Sequence, residues 1–422
     1  MTSPLNPANA SLRTDRHKLR LAYFVSHPIQ YQAPLLRRIA QEEDIDMTVF
    51  FSSDMSVRTQ GFSDPGFGVS VKWDVPLLEG YKHEFLPVLR NSDRLGPFSP
   101  LNRGIARAIR RGRFDAVWVH GYSSLAMLQA IHAASAQQIP VLLRGETTLY
   151  DHKRSRMRLA AKSLFFAVLR RQVSALLAIG ESNTAYWRHY FGEDFPIFPF
   201  HYCVDNEFFQ RQCEAASKCR EQFRSSLGLE AGRPVILYAS KLTSRKRCAD
   251  LLEAFLKLSN SGRAGPAPYL LIVGDGEERA ALEIRAKQAG RDDVRFFGFR
   301  NQSELPRFYN LCDVFVLASV DEPWGLVVNE AMNAGRAVIV SDQVGCQKDL
   351  VHDGVNGSVV KARDVDGLAQ SLQAVLANEE TWQQMGAQSL RIVQEYSFDR
   401  NVTGLRRALQ ALVPSFHAAV NS

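Results

Sequence analysis

Short apolar runs recur along this chain at intervals filled by stretches of helical periodicity. The first series reads LRLAYFVS (19–26), MTVFFSS (47–53), EFLPV (84–88), AVWVHG (116–121), VLLRGE (141–146) and LLAIGE (176–181). A polar, charged interval at 210–233 follows, and then PVILYAS (234–240), YLLIVGDG (269–276), VRFFGF (294–299), VFVLAS (314–319) and AVIVSD (337–342). Runs this apolar are strands buried on both faces, and strands alternating with helices build parallel sheets with crossover connections. The pattern predicts an α/β chain of two tandem, doubly wound Rossmann-like domains meeting near residues 200–215. The expected segments are a disordered lead-in at 1–18, a first domain at 19–208, a second at 209–395, and a terminal helix at 396–422 that returns to the first domain.

With 422 residues the chain is long enough for two such cores. Its formal net charge of +7 suits nucleic acid, an anionic membrane or phosphorylated ligands, and does not choose among them. The charge is spread along the chain without a nucleic-acid motif, so no nucleic-acid partner is expected. Cys203, Cys213, Cys219, Cys248, Cys312 and Cys346 form no C-x-x-C pair and no zinc spacing, which reads as a reducing, cytoplasmic setting. No run approaches the length of a membrane span, and the first 18 residues lack the apolar stretch of a secretory signal.

In open α/β sheets ligands bind beyond the carboxyl ends of the strands. Those ends carry His27, His120, Glu146 and Glu181 in the first series, and Lys241, Gly274–Gly276, Glu322 and Asp342 in the second. If the two carboxyl edges face each other, these groups converge on one cleft. The segment 314–342 is the most informative. A buried strand leads into a loop with Glu322 and a helix from Gly325 to Ala334, whose free N–H groups and dipole suit an anion. Glu330 lies about one and a half turns inside that helix. Two carboxylates spaced E-x7-E around an anion-binding helix start suit a sugar nucleotide; the alternative is a capping acid and a solvated helix residue. Lys241 and Lys246 flank a strand-to-helix loop and suit a diphosphate; the alternative is a solvated basic turn.

In order, residues 234 to about 378 supply Lys241 and Lys246, Val273–Gly276, Phe297-Gly298-Phe299, Tyr309, Asp313, Phe315, Val316 and Ser319. Glu322 and Glu330, Ser341-Asp342 and Asp353-Gly354-Val355-Asn356-Gly357 complete the set. This order closely resembles the GT-B-fold retaining glycosyltransferases of family 4, whose two domains face across a cleft. The resemblance implies a metal-independent transferase that retains anomeric configuration and needs no cofactor. It places Lys241 and Lys246 on the diphosphate, Glu330 on the ribose and Glu322 on the donor sugar. It also places the main chain at Phe299 and Arg300 on the base, with Gly274, Gly325 and Leu326 lining the donor. Lys241 stands where the family more often has Arg, and Cys346 breaks the usual Gly-Gly after Val344.

The first domain matches more loosely. HPIQYQAPLLRRIA (27–40) replaces the family's glycine-rich loop and puts His27, Gln30 and Tyr31 there as acceptor-side candidates. His120, expected with Glu322 to be catalytic, is either a contact of the donor sugar or a packed, satisfied histidine. Glu146 either touches the acceptor or pairs with Arg144. KWDVPLLEGY (72–81) receives no chemistry. The basic stretch 151–171 is either a packed helix with a charged end or a peripheral contact with anionic membrane. The expected partners are a nucleotide-sugar donor, UDP- or GDP-linked, and a glycan or lipid-linked acceptor of cell-surface polysaccharide or glycolipid synthesis. Rival readings are a nucleotide-sugar epimerase of the same architecture and a non-catalytic nucleotide-binding protein.

Overall fold

The computed structural model describes residues 18–58, 61–64, 68–90, 95–149, 156–258 and 266–416. The first domain is built on seven strands: β1 (Leu19–Val25), β2 (Ile45–Phe51), β3 (Lys82–Phe85), β4 (Ala116–His120), β5 (Val141–Arg144), β6 (Ala175–Ala178) and β7 (Ile197–Pro199). They lie in the order β7-β6-β5-β4-β1-β2-β3, every neighbour parallel. The second sheet holds β8 (Val235–Ala239), β9 (Tyr269–Val273), β10 (Val294–Gly298), β11 (Val314–Leu317), β12 (Ala337–Ser341) and β13 (Gly357–Val360). Its order is β10-β9-β8-β11-β12-β13, again all parallel.

The expectation of two doubly wound domains holds, with local differences. EFLPV divides into β3 and a separate short strand, Val88–Arg90, because Pro87 has no N–H to give the ladder. The strands IFP (β7) and GSVV (β13) are too short to show periodicity. The predicted lead-in, apart from Lys18, and residues 151–155 of the basic stretch lie outside the described residues; 156–170 is a helix.

Central strands are buried on both faces: every residue of β8, β9 and β12 is buried. The order in which strands are added reverses once in each sheet, between β1 and β4 and between β8 and β11. The loops that leave these switch points are where the fold opens a crevice. The helix Phe398–Leu412 belongs spatially to the first domain, where Val402, Leu405, Ala408 and Leu409 join the core that contains β1 and β2. Arg406 fixes it to Glu42 and Asp44, its Nη1 2.7 Å from an Asp44 carboxylate oxygen.

The two carboxyl edges face each other. Beyond β6, the Glu181 backbone N–H donates to both oxygens of Asp349, at 3.2 and 3.0 Å, on the short helix Gln347–Leu350 that follows β12. Gly180 lies so close to Trp324 that a Cβ would stand 2.3 Å from the indole. At the other flank Asn301 Nδ2 donates to the Lys72 carbonyl at 2.7 Å, and the Ser303 backbone N–H to Asp74 at 3.2 Å. The segment to which the sequence assigns no chemistry thus bridges the domains.

Candidate active site

On the second domain, the loop after β8 carries the 3₁₀ turn Ser244–Lys246, and Arg247 follows in the left-handed region at φ 54°. That bend turns Arg247 away from the other two cations, Arg245 and Lys246, which both approach Glu322. Arg247 grips Asp250 through two bonds of 2.7 and 2.6 Å, and Arg245 Nη1 donates to the Asp321 carbonyl at 3.0 Å. Lys246, only 9% exposed, pairs its ammonium with a carboxylate oxygen of Glu322, itself 8% exposed. Lys246 is therefore not the solvated cation of a basic turn, nor is Glu322 a helix-capping acid. Arg245 Nη1 stands 3.7 Å from the same Glu322 oxygen. Lys241, partly buried, follows the end of β8 and takes the Tyr238 hydroxyl on its carbonyl at 2.8 Å.

Glycines set how closely these loops approach. A Cβ on Gly274, at φ +139°, would fall 1.9 Å from the Ser240 carbonyl oxygen. The loop after β9 can lie on the loop after β8 only because no side chain intervenes. The helix runs from Leu326 to Asn333, with Gly325 before it at φ 96° and Gly335 beyond it at φ 67°. Glu330 is partly buried and accepts the Tyr309 hydroxyl at 2.6 Å. Burial pushes its carboxyl up to about 7, with the Tyr309 bond opposing the rise. Phe299 meets Trp73 of the first domain edge-on at 6.5 Å, and Arg300 Nη1 pairs with Glu304 at 3.2 Å.

On the first domain a cavity of about 620 Å³ opens at the β1/β4 switch point, lined by His27, Tyr31, His120, Tyr122 and Glu146 among others. One Glu146 oxygen takes three donors: His120 Nε2 at 2.9 Å, the Tyr31 hydroxyl at 3.2 Å and the Tyr202 hydroxyl. The opposite ring nitrogen of His120 lies 3.0 Å from both Gln32 Nε2 and the Tyr23 hydroxyl. An imidazole that donates from Nε2 to a carboxylate and accepts at Nδ1 from an amide is neutral. Burial also holds its pKa below the ordinary value, with Glu146 pulling upward. With both nitrogens engaged, His120 has the geometry of a packed, satisfied histidine. His27 differs. Its Nδ1 meets Ser26 Oγ at 2.8 Å, and burial with the neighbouring His120 pushes its pKa down to about 4.

Two sequence expectations change here. Glu146 does not pair with Arg144. The Arg144 guanidinium is buried over the rings of Phe200 and Tyr202, at 4.9 and 4.6 Å, and acts on Glu146 only through its field. Gln30 does not line the cavity. The turn closed by Gln32 N–H on the Ile29 carbonyl presents Tyr31 instead, while Gln32 is buried and bonds the His120 ring. Gln32, Tyr23 and Tyr202 were not legible as site residues, because an apolar strand and a polar turn give no sign of a shared hydrogen-bond network.

Tyr202 joins the two halves. Its hydroxyl is in the Glu146 network, while its carbonyl accepts Asn329 Nδ2 at 3.5 Å from the helix Leu326–Asn333. Asn329 in turn accepts the Trp324 indole N–H at 2.9 Å, two residues beyond Glu322. A wall of hydroxyls and imidazoles around the Glu146 carboxylate therefore faces a surface of cations, carboxylates and helix-start amides. Such a pair of surfaces suits a ligand with a polyanionic part and a polyhydroxylated part.

Residues 219–391 match the family described as glycosyl transferases group 1. An uncharacterized glycosyltransferase of Methanocaldococcus jannaschii is 36% identical over 157 residues, 37% of this chain and 39% of that protein. A lipopolysaccharide core biosynthesis glycosyltransferase of Rhizobium meliloti is 33% identical over 156 residues, 37% of this chain and 43% of its own. The matched stretch thus spans less than half the length of either relative. Among solved structures, Anabaena HepE in complex with UDP and glucose superposes with a TM-score of 0.70 at 17% identity, over 93% of this chain and all of HepE. WaaG, a glycosyltransferase involved in lipopolysaccharide biosynthesis, superposes at 0.62 and 16% identity over 93% of this chain and 99% of its own. The architecture is GT-B, two Rossmann-like domains facing across a cleft.

Proposed function

We propose that this chain is a glycosyltransferase that moves a sugar from a nucleotide-sugar donor to a glycan or lipid-linked acceptor. The observation that carries this reading is the meeting of two unlike surfaces. Lys246, Glu322 and an open helix start lie at the β8/β11 switch point, across from the His27–Glu146 cavity at the β1/β4 switch point. The C-terminal match to group 1 glycosyltransferases and the UDP-bound HepE of the same fold support a nucleotide-sugar donor. In this reading Lys241 and Lys246 meet the diphosphate, Glu330 the ribose, Glu322 the sugar, and the main chain at Phe299 and Arg300 the base. Transfer proceeds with retention, the acceptor hydroxyl attacking from the side of the departing diphosphate, whose growing charge the two lysines stabilise. His27 is the imidazole on the acceptor side; His120 orients Glu146 and the tyrosines.

Cations and helix amides take the part that a divalent metal plays elsewhere, so turnover persists in excess EDTA. The assay is nucleoside diphosphate release from a panel of UDP-, GDP- and ADP-sugars, preceded by thermal shift, since a ligand of the folded state alone raises its melting temperature. One nucleotide series stabilises the protein and supports transfer. No stabilisation by any of them would overturn the reading, and turnover lost to EDTA and restored by Mg²⁺ would overturn metal independence.

The acceptor side is also proposed to rest on the inner face of the cytoplasmic membrane. Among the described residues, every large exposed apolar side chain except Ile284 and Val355 lies between Phe85 and Val168. Met157 (81% exposed), Leu164 (69%) and Val168 (51%) share one face of the helix Arg156–Arg170. The opposite face packs Phe165 and Phe166 against Tyr122 at the cavity wall. An apolar stripe next to Arg170 and Arg171 suits an interfacial helix on anionic lipid. No helix among the described residues is long and apolar enough to cross a membrane. The protein should sediment with vesicles containing phosphatidylglycerol, less so in high salt, and not with phosphatidylcholine alone. The double variant Met157→Glu/Leu164→Glu should stay in the supernatant. Equal sedimentation with both vesicle types, or unchanged sedimentation of the variant, would refute the docking face.

A further inference from the structure

We propose that Glu322 is an internal occupant of the diphosphate site. Its carboxylate holds Lys246, yields that ammonium to an incoming nucleoside diphosphate, and reclaims it when the product leaves. The inference rests on the reading that places the diphosphate at Lys246, and goes beyond it by giving the donor site a built-in competitor.

The geometry makes the two anions alternatives. Glu322 presents one oxygen to Lys246 Nζ and, at 3.7 Å, to Arg245 Nη1, so a single carboxylate draws on both cations of the turn. Both members of the pair are buried, 8% and 9% exposed, so solvent screens their attraction little. A diphosphate that takes Lys246 must displace this oxygen; otherwise two anions share one ammonium in a partly dry site. The displacement falls on the side chain alone. The Glu322 backbone N–H donates to the Gln343 carbonyl at 3.1 Å, and its carbonyl accepts Gly345 N–H at 2.8 Å. Lys246 is equally fixed, its N–H bonded to the Thr243 carbonyl at 2.8 Å. The main chain on both sides is held, and the exchange is a rotamer change of Glu322 that carries its carboxylate from the cation to a hydroxylated ligand. The reverse rotation, once the sugar has gone, supplies an anion where the diphosphate must leave.

The pair therefore trades affinity for release, and removing the competing charge should tighten product binding. Isothermal titration of UDP, GDP and ADP, with stopped-flow dissociation of the one that binds, tests this on the full chain. Glu322→Gln keeps the shape and loses the charge; it should bind the nucleoside diphosphate about tenfold more tightly, mostly through slower dissociation. Glu322→Asp retracts the carboxylate by one methylene and should fall between wild type and Glu322→Gln, which keeps the test open if either variant folds poorly. Affinities equal to or weaker than wild type in both, with binding lost in Lys246→Ala, would overturn the proposal and leave the diphosphate site standing. Unchanged affinity in Lys246→Ala would overturn the placement of the diphosphate itself.

Discussion

Lys246→Ala should lower turnover by about a thousandfold and nucleoside diphosphate affinity by about a hundredfold, beyond the loss of one charge-assisted bond. The reason for the excess is Glu322. With its ammonium partner gone, a carboxylate that is 8% exposed beside Lys246 keeps only Arg245, at 3.7 Å, as an ion-pair partner among the described residues. Under the proposed placement of the donor, the incoming diphosphate then meets an uncompensated anion as well as lacking a cation. Stranding one member of a buried pair also costs about 3–5 kcal/mol, so melting should fall by roughly 5–10 °C. Adding Glu322→Gln removes the stranded charge and should recover most of the stability and part of the nucleotide affinity. Such non-additivity is expected of groups in direct contact. Calorimetry, melting and steady-state rates on both singles and the double give the cycle. Strict additivity of the two substitutions would mean that the pair seen in the fold has no energetic consequence at the site.

Gly345→Ala should be nearly as damaging, although the residue bears no chemistry. A Cβ there would lie 1.9 Å from the Pro323 carbonyl oxygen and 3.1 Å from that of Glu322. The loops 321–325 and 343–346 are zipped by Glu322 N–H to Gln343 and by Gly345 N–H to the Glu322 carbonyl. The methyl must push the loop that aims Glu322, and displacements of about 1 Å cost on the order of a hundredfold in rate. Cys346→Ala is the control: Cys346 is fully buried, and burial holds its thiol well above the usual range, so it is an inert packing residue. Turnover should fall by about a hundredfold in Gly345→Ala and stay within a few-fold of wild type in Cys346→Ala. Comparable rates in the two variants would show that loop spacing does not control the site. Of the two positions where the family resemblance has glycine, the fold demands only the first.

The second-domain residues were legible because their signal is local. A strand, a short loop and a helix start fix where Lys241, Lys246, Glu322 and Glu330 emerge, whatever the rest of the chain does. The pairing of Lys246 with Glu322 was not legible, since their loops follow β8 and β11, far apart in sequence and adjacent only because the sheet reverses between them. The first-domain network was less legible still. Glu146 reads as a salt-bridge partner of Arg144 two residues away, yet its donors come from the turn after β1, the end of β4 and the segment joining the domains.

Alternation of apolar runs with helical stretches determined the two doubly wound sheets, since a strand buried on both faces must be continuously apolar and a crossover helix must follow it. The same pattern placed polar groups at the carboxyl ends, because loops cannot be buried without partners. Tertiary structure alone decided which of those groups face each other. Parallel strands can be ordered in many ways without changing their periodicity, and only the packed order sets β1 beside β4 and β8 beside β11. It also decided charge state and partnership. Whether Lys246 is solvated or paired, and whether His120 is free or held, depends on neighbours contributed by distant segments, and sequence spacing does not encode them.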